Sequence, residues 1–307
     1  MGNTFFFTWE PALMAWLQSH LGRFGIGLAT VFSMFGEEMA IILVLGFCYW
    51  SWKKELGKFI GRNACVAMVA NPMIKNVFLR LRPYMVCPEV KCLKPVDSSA
   101  DIMDVAAQGY SFPSGHSSGS VANYTSVAAY LKKKWAWVVG IVIPLLVGVS
   151  RFCVGVHFPT DVLFGWALGI AVVMLVPFFQ KKFEKRWVFY LILLLLALPG
   201  WFYCRTNDFY TSYGMMAGFF AGDLFEERFV QFKNTRCWWK MILRVLGGGA
   251  VYFALNALLK LPFSSAFLNS GTFLAYLVRA VRYAVILFVD VAIYPMAFDR
   301  IKFGKQA

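Results

Sequence analysis

Apolar residues gather into nine long runs, at about 24 to 50, 57 to 80, 115 to 131, 136 to 150, 159 to 179, 187 to 203, 211 to 228, 239 to 260 and 272 to 297. A helix rises 1.5 Å per residue and the hydrocarbon core of a bilayer is about 30 Å thick, so runs of this length read as membrane crossings. A shorter stretch, 9 to 21 (WEPALMAWLQSHL), cannot span and reads as an interfacial or half-inserted helix. The pattern predicts an all-α protein, a polytopic transmembrane helix bundle.

The polar connections between the runs suggest an orientation. Alternate ones carry Lys53, Lys54 and Lys58; Lys132, Lys133 and Lys134; Lys181, Lys182, Lys185 and Arg186; Lys233, Arg236 and Lys240; and, after the last run, Arg300, Lys302 and Lys305. Basic loops stay on the cytoplasmic side, so these connections and the C-terminus are expected there, with the N-terminus and residues 150 to 161 outside. The start, MGNTFFFTWEP, has no basic n-region or cleavage site and reads as mature sequence. With such short loops, a bacterial plasma membrane is the expected location, and an endoplasmic reticulum protein facing the lumen would read alike.

Composition agrees with the pattern. The 307 residues are 59% hydrophobic with a mean hydropathy of +0.60, which excludes an ordinary soluble domain. The formal charge of +14 lies in the loops just named, so nucleic acid is not an expected partner.

Ionisable residues at membrane depth are expensive, and one short stretch has three of them. Residues 150 to 161 read SRFCVGVHFPTD, with Arg151, His157 and Asp161 between two apolar runs. Pro159 suits the first turn of a helix, which puts Asp161 inside that turn, where it can hold one nitrogen of His157 and leave the other as base or nucleophile. Two further clusters lie on the same predicted side: KNVFLRLRP, with Lys75, Arg80 and Arg82, and FPSGH, where Ser114 is a good N-cap, Gly115 allows close approach and His116 opens a helix. Lys75, Arg82 and Arg151 then surround two histidines. Arg80 reads as a residue that snorkels to the interface.

Several fixed cations repel a metal ion and attract an anion with many acceptor oxygens, so no metal site and no cofactor are expected, and phosphate is the ligand. Phosphoryl transfer needs cations, an in-line nucleophile and an acid for the leaving oxygen. The nucleophile is either water, with a histidine as base, or His157 itself; His116 is left to protonate the leaving group. Between the clusters, the 83 to 112 loop holds Cys87, Cys92 and three aspartates. It reads as a lid, with solvated acids and either a local disulfide or two free thiols.

In order and spacing, these segments resemble the three-part signature of the type 2 phosphatidic acid phosphatase superfamily: Lys-x6-Arg-Pro, Pro-Ser-Gly-His and Ser-Arg-x5-His-x3-Asp. The resemblance covers roughly residues 1 to 180. It implies His157 as nucleophile, Asp161 as its partner, His116 as general acid, and Lys75, Arg82, Ser114, Gly115 and Arg151 as phosphate binders, without metal. It also points to a phosphorylated lipid as substrate among membrane lipids, and the charge pattern of the loops puts the expected hydrolysis at the outer face. The same signature serves a lipid phosphotransferase, and a transporter or scramblase with a vestigial site is a reading from another class. The expected division is a catalytic core, 1 to 180, and a four-span extension, 181 to 307. In the extension, Gly214, Gly218 and Gly222 make a ridge for helix packing or a homodimer, and Asp223, Glu226, Glu227 and Arg228 are expected to pair with one another or with Arg244.

Overall fold

The computed structural model describes residues 2 to 298. Arg300, Lys302 and Lys305, which the charge pattern assigns to the cytoplasmic side, lie outside the described residues. Helices dominate, and the only strand-like pairing among the described residues is an isolated bridge between Asn3 and Arg80.

By length and apolarity, Lys134–Cys153, Pro159–Gln180, Arg186–Tyr203 and Trp238–Leu258 can each cross a membrane, and Gly22–Met34 with Glu38–Trp52 makes a fifth crossing if that pair, bent by 48°, is one span. The other four apolar runs are helical as well, but their interiors are polar. Arg62, Asn63 and Asn71 are buried in Lys54–Phe78, Ser117, Ser118 and Ser120 in Gly115–Ser120, Asp223 in Asn207–Phe225, and Arg282 in Phe273–Phe288. Such groups need protein partners, because lipid offers none.

The chain forms two compact units. One joins the segment up to Ile41 with Ala70–Pro177; the other joins Ile42–Val69 with the segment from Phe178 onward. The division is not a single cut near residue 180, because Ile42–Val69 goes with the C-terminal half.

In the first unit, Gly22–Met34 packs along Lys134–Cys153, and Pro159–Gln180 runs against Gly115–Ser120. That second approach requires Gly165, where a Cβ would lie 2.6 Å from the Ser114 carbonyl oxygen. The N-terminal segment joins this unit through backbone pairing: the Asn3 amide donates to Leu79 at 2.7 Å, and Leu81 donates back at 2.9 Å. Cys87 and Cys92 are free thiols, and Asp101 and Asp104 are exposed.

In the second unit the glycine ridge is filled from within the chain. Cβ atoms on Gly214 and Gly218 would lie 2.1 and 2.2 Å from the carbonyl oxygens of Ala280 and Ala284, so Asn207–Phe225 and Phe273–Phe288 are in backbone contact. The acidic group beside this ridge takes partners that the sequence did not suggest. Lys58 Nζ lies 2.8 Å from Asp223 and 2.9 Å from Glu226, Lys54 Nζ lies 2.8 Å from Glu226, and Arg186 lies 2.8 Å from Glu227. The expected pairing with Arg244 does not form, since Arg244 donates to the carbonyls of Trp50 and Lys233. The start of Lys54–Phe78 reaches the carboxylates first, and buried charges persist only when paired.

Candidate active site

Ser114 sets the first wall of the site. Its Oγ accepts from the Ser117 amide at 3.3 Å and caps Gly115–Ser120, while its own amide donates to the Asp161 carbonyl at 2.9 Å. The first turn of this helix therefore presents unpaired amides and the positive end of a dipole. Asn71 donates to the Pro113 carbonyl at 3.1 Å, which brings the end of Lys54–Phe78 alongside. Lys75 Nζ consequently stands 4.0 Å from the position that a Cβ on Gly115 would take, and a side chain there would enter the space in front of the ammonium.

Two buried guanidinium groups form the second wall. Arg82 Nε donates to the carbonyls of Gln108 and Gly109 at 2.9 and 3.0 Å, and its Nη1 donates to the Val156 carbonyl at 2.9 Å. One side chain thus ties the 83 to 112 loop to the residue before His157. Arg151 is 2% exposed; its Nη1 donates to Ser33 Oγ, and its Nε has no hydrogen-bond partner. A buried N–H left open is costly, and a phosphate oxygen is a natural acceptor for it.

His157 occupies the turn between Lys134–Cys153 and Pro159–Gln180, and its Nδ1 lies 3.5 Å from Asp161 Oδ2. Catalytic pairs of this separation commonly tighten when substrate binds. Burial, and after it the charges of Arg82, Arg151 and Lys75, hold the imidazole well below its usual pKa, so it is neutral at physiological pH. His116 also acts electrostatically on His157, and it packs on Gly36, where a Cβ would lie 3.3 Å from its Cδ2. All eight residues singled out from the sequence therefore meet in one unit.

Asp161 is fully buried. Its Oδ2 accepts from the Phe158 amide at 2.7 Å and its Oδ1 from Arg80 Nη1 at 2.7 Å. Here the expectation for Arg80 fails, because the residue does not snorkel. It is 1% exposed, its Nη2 reaches Glu10 Oε2 at 3.0 Å, and its guanidinium lies over the Phe158 ring at 4.1 Å. Glu10, itself fully buried, also accepts from the Thr160 amide at 3.0 Å. Glu10 and Arg80 thus form a layer behind Asp161 that reading the motifs missed. The available clue was a carboxylate within an apolar, aromatic stretch; its partner lies seventy residues away in the chain.

Among the curated relatives, undecaprenyl-diphosphatase of Sulfolobus acidocaldarius is 31% identical over 145 residues, covering 47% of this chain and 65% of the relative. Phosphatidylglycerophosphatase B of Bacillus subtilis is 39% identical over 90 residues, covering 26% of this chain and 44% of the relative. The chain thus spans less than two thirds of either. No solved structure matches it. Residues 59–185 match the PAP2 superfamily, and this stretch contains all eight site residues. Residues 210–306 match the PAP2 superfamily phosphatase transmembrane extension. Two consecutive matches from one superfamily, on a helical membrane architecture, identify this chain as a member of the PAP2 superfamily.

Proposed function

We propose that this protein is an integral membrane phosphatase that hydrolyses lipid-linked phosphate monoesters or diphosphates through a phosphohistidine, without a metal. One observation carries the reading: a neutral, buried His157 has a carboxylate 3.5 Å from one ring nitrogen and three cations acting on it. A neutral imidazole can attack phosphorus, whereas a protonated one cannot.

Asp161 orients His157 so that Nε2 faces the phosphorus. His116 enters this step as the imidazolium, its charge balanced by the bound phosphate between Lys75, Arg82 and Arg151; as the N–P bond forms, the bond from phosphorus to the leaving oxygen breaks, and His116 gives that oxygen its proton. Lys75, Arg82, Arg151 and the first-turn amides that follow Ser114, whose own amide is held by the Asp161 carbonyl, bind the three equatorial oxygens, whose charge grows in the transition state. His116, now a base, takes a proton from water, and the resulting hydroxide attacks phosphorus and frees His157. The two relatives, an undecaprenyl-diphosphatase and a phosphatidylglycerophosphatase, support this substrate class.

The outer face is the proposed side of action. Lys54–Phe78, Lys134–Cys153 and Pro159–Gln180 each have one end at the site, and at or just past the other end lie Lys53 and Lys54, Lys132 to Lys134, and Lys181 and Lys182. Basic residues on that far side favour the cytoplasm.

Purified protein in detergent should release inorganic phosphate from a lipid phosphate, keep this activity in EDTA and lose it to vanadate, which mimics five-coordinate phosphorus. Activity that EDTA removes and zinc or magnesium restores would overturn the metal-free mechanism, and no release from any lipid phosphate would overturn the whole reading. Label that appears on a lipid hydroxyl instead of in free phosphate would identify a phosphotransferase.

A further inference from the structure

An ion pair outside the signature stands at the edge of the site. Lys94 Nζ lies 2.5 Å from Glu37 Oε1, with the lysine side chain 23% and the glutamate side chain 38% exposed. Both ends are held by backbone. The Leu93 amide donates to the Val154 carbonyl at 2.9 Å, just past the end of the helix that carries Arg151, and Lys94 follows in a bend that leads into Pro95. Glu37 occupies the 48° break between Gly22–Met34 and Glu38–Trp52, next to Gly36, whose Cβ position would be 3.2 Å from His116 Cβ. Lys94 acts electrostatically on His116, as Glu37 does on Arg151.

From this placement we infer that Lys94 is a specificity-determining residue that binds the second phosphate of a lipid diphosphate, with Glu37 as its resting partner. The inference rests on the phosphatase reading above. When His157 attacks the terminal phosphorus of a diphosphate, the departing group is a lipid monophosphate, and the bridging oxygen leaves with the electron pair and receives the His116 proton. The phosphate behind that oxygen must therefore lie on the His116 side, where Lys75, Arg82 and Arg151 are already committed to the terminal phosphate. A monoester places only a carbon chain there. The Lys94 ammonium is the cation positioned to meet the extra charge. Exposed ion pairs are weak, so exchanging Glu37 for a phosphate costs little.

The sign of two substitutions tests this. In the full-length protein in detergent, kcat/KM is measured with geranylgeranyl diphosphate and geranylgeranyl monophosphate, whose tails are identical. Lys94→Met should lower the diphosphate-to-monophosphate ratio by about 10- to 100-fold, the size of a lost charge-assisted hydrogen bond, and Lys94→Arg should recover most of it. Glu37→Gln should raise the ratio, because it releases Lys94 from its competitor. For an enzyme confined to diphosphates, kcat/KM on the diphosphate alone should show the same opposite signs. Ratios that fall in both variants, or move in neither, would reduce the pair to a loop fastener while hydrolysis of both lipids left the phosphatase reading standing. A native protein that accepts monoesters alone would overturn the inference, and one that hydrolyses neither lipid would remove the phosphatase reading and the inference together.

Discussion

Arg80 donates to Asp161 Oδ1 at 2.7 Å while the Phe158 amide donates to Oδ2, so the carboxylate facing His157 is gripped from both sides before it orients anything. The grip continues outward. Arg80 also holds Glu10, and Glu10 holds Thr160, which precedes Asp161 in its helix.

Arg80→Met should therefore impair both stability and turnover. It leaves Asp161 and Glu10 as buried carboxylates without their cation, and breaking a buried pair costs about 3 to 5 kcal/mol. Thermal unfolding and steady-state kinetics together check this: a variant with native Tm and native kcat would mean that Arg80 is only peripheral.

Asp161→Asn should act mainly on kcat. The amide keeps much of the shape but no longer fixes the imidazole tautomer, and a fall of roughly 10² to 10⁴ with little change in KM is expected by analogy with triad carboxylates. Lys75→Ala should instead weaken both parameters, because its charge acts on bound substrate as well as on the transition state. A rise in KM alone for Asp161→Asn would reassign the carboxylate to substrate positioning.

His157→Ala should abolish turnover with the fold intact, and the native enzyme should show the lowered pKa of this residue. Its imidazole stays neutral below the usual value of about 6.5, so the acid limb of kcat/KM should lie under pH 6.5. Stability follows the same sign. The unfolded chain takes up the proton first as pH falls below about 6.5, so His157 contributes stability above that pH and loses it on further acidification. Profiles of kcat/KM and Tm between pH 4 and 8 measure both; substantial phosphate release by His157→Ala would end the phosphohistidine proposal.

Lys58→Met should destabilise the C-terminal unit. Lys58 is 2% exposed and bridges Asp223 and Glu226, so its loss takes the nearest cation from Asp223, which keeps Arg186 at 3.5 Å, and one of two cations from Glu226, which keeps Lys54, at a cost of up to about 3 kcal/mol. The fall should shrink in the triple variant Lys58→Met, Asp223→Asn, Glu226→Gln, where the uncompensated charge is also removed. Equal unfolding temperatures for native and Lys58→Met protein would show that the network is dispensable.

The sequence alone determined everything that depends on short-range order. Long apolar runs specify membrane helices, Pro159 and Ser114 specify helix starts, and three compact motifs specify which cations, histidines and carboxylate belong together. These features were legible because each is written within about a dozen consecutive residues. Tertiary structure decided what comes from distant chain. Arg80 and Arg82 look equivalent in KNVFLRLRP, yet Arg82 meets the carbonyls of Gln108, Gly109 and Val156 while Arg80 meets Glu10 and Asp161. The difference arises because the chain turns at Leu79, with φ at +51°, and Asn3 then pairs across it on both sides of Arg80. The acidic group of the extension likewise found Lys54 and Lys58, more than 160 residues upstream, rather than Arg244 nearby. Periodicity and motif spacing report which residues share a helix face or a turn; they are silent about which remote segment reaches a buried charge first, and at low dielectric that contact sets the role of each ionised side chain.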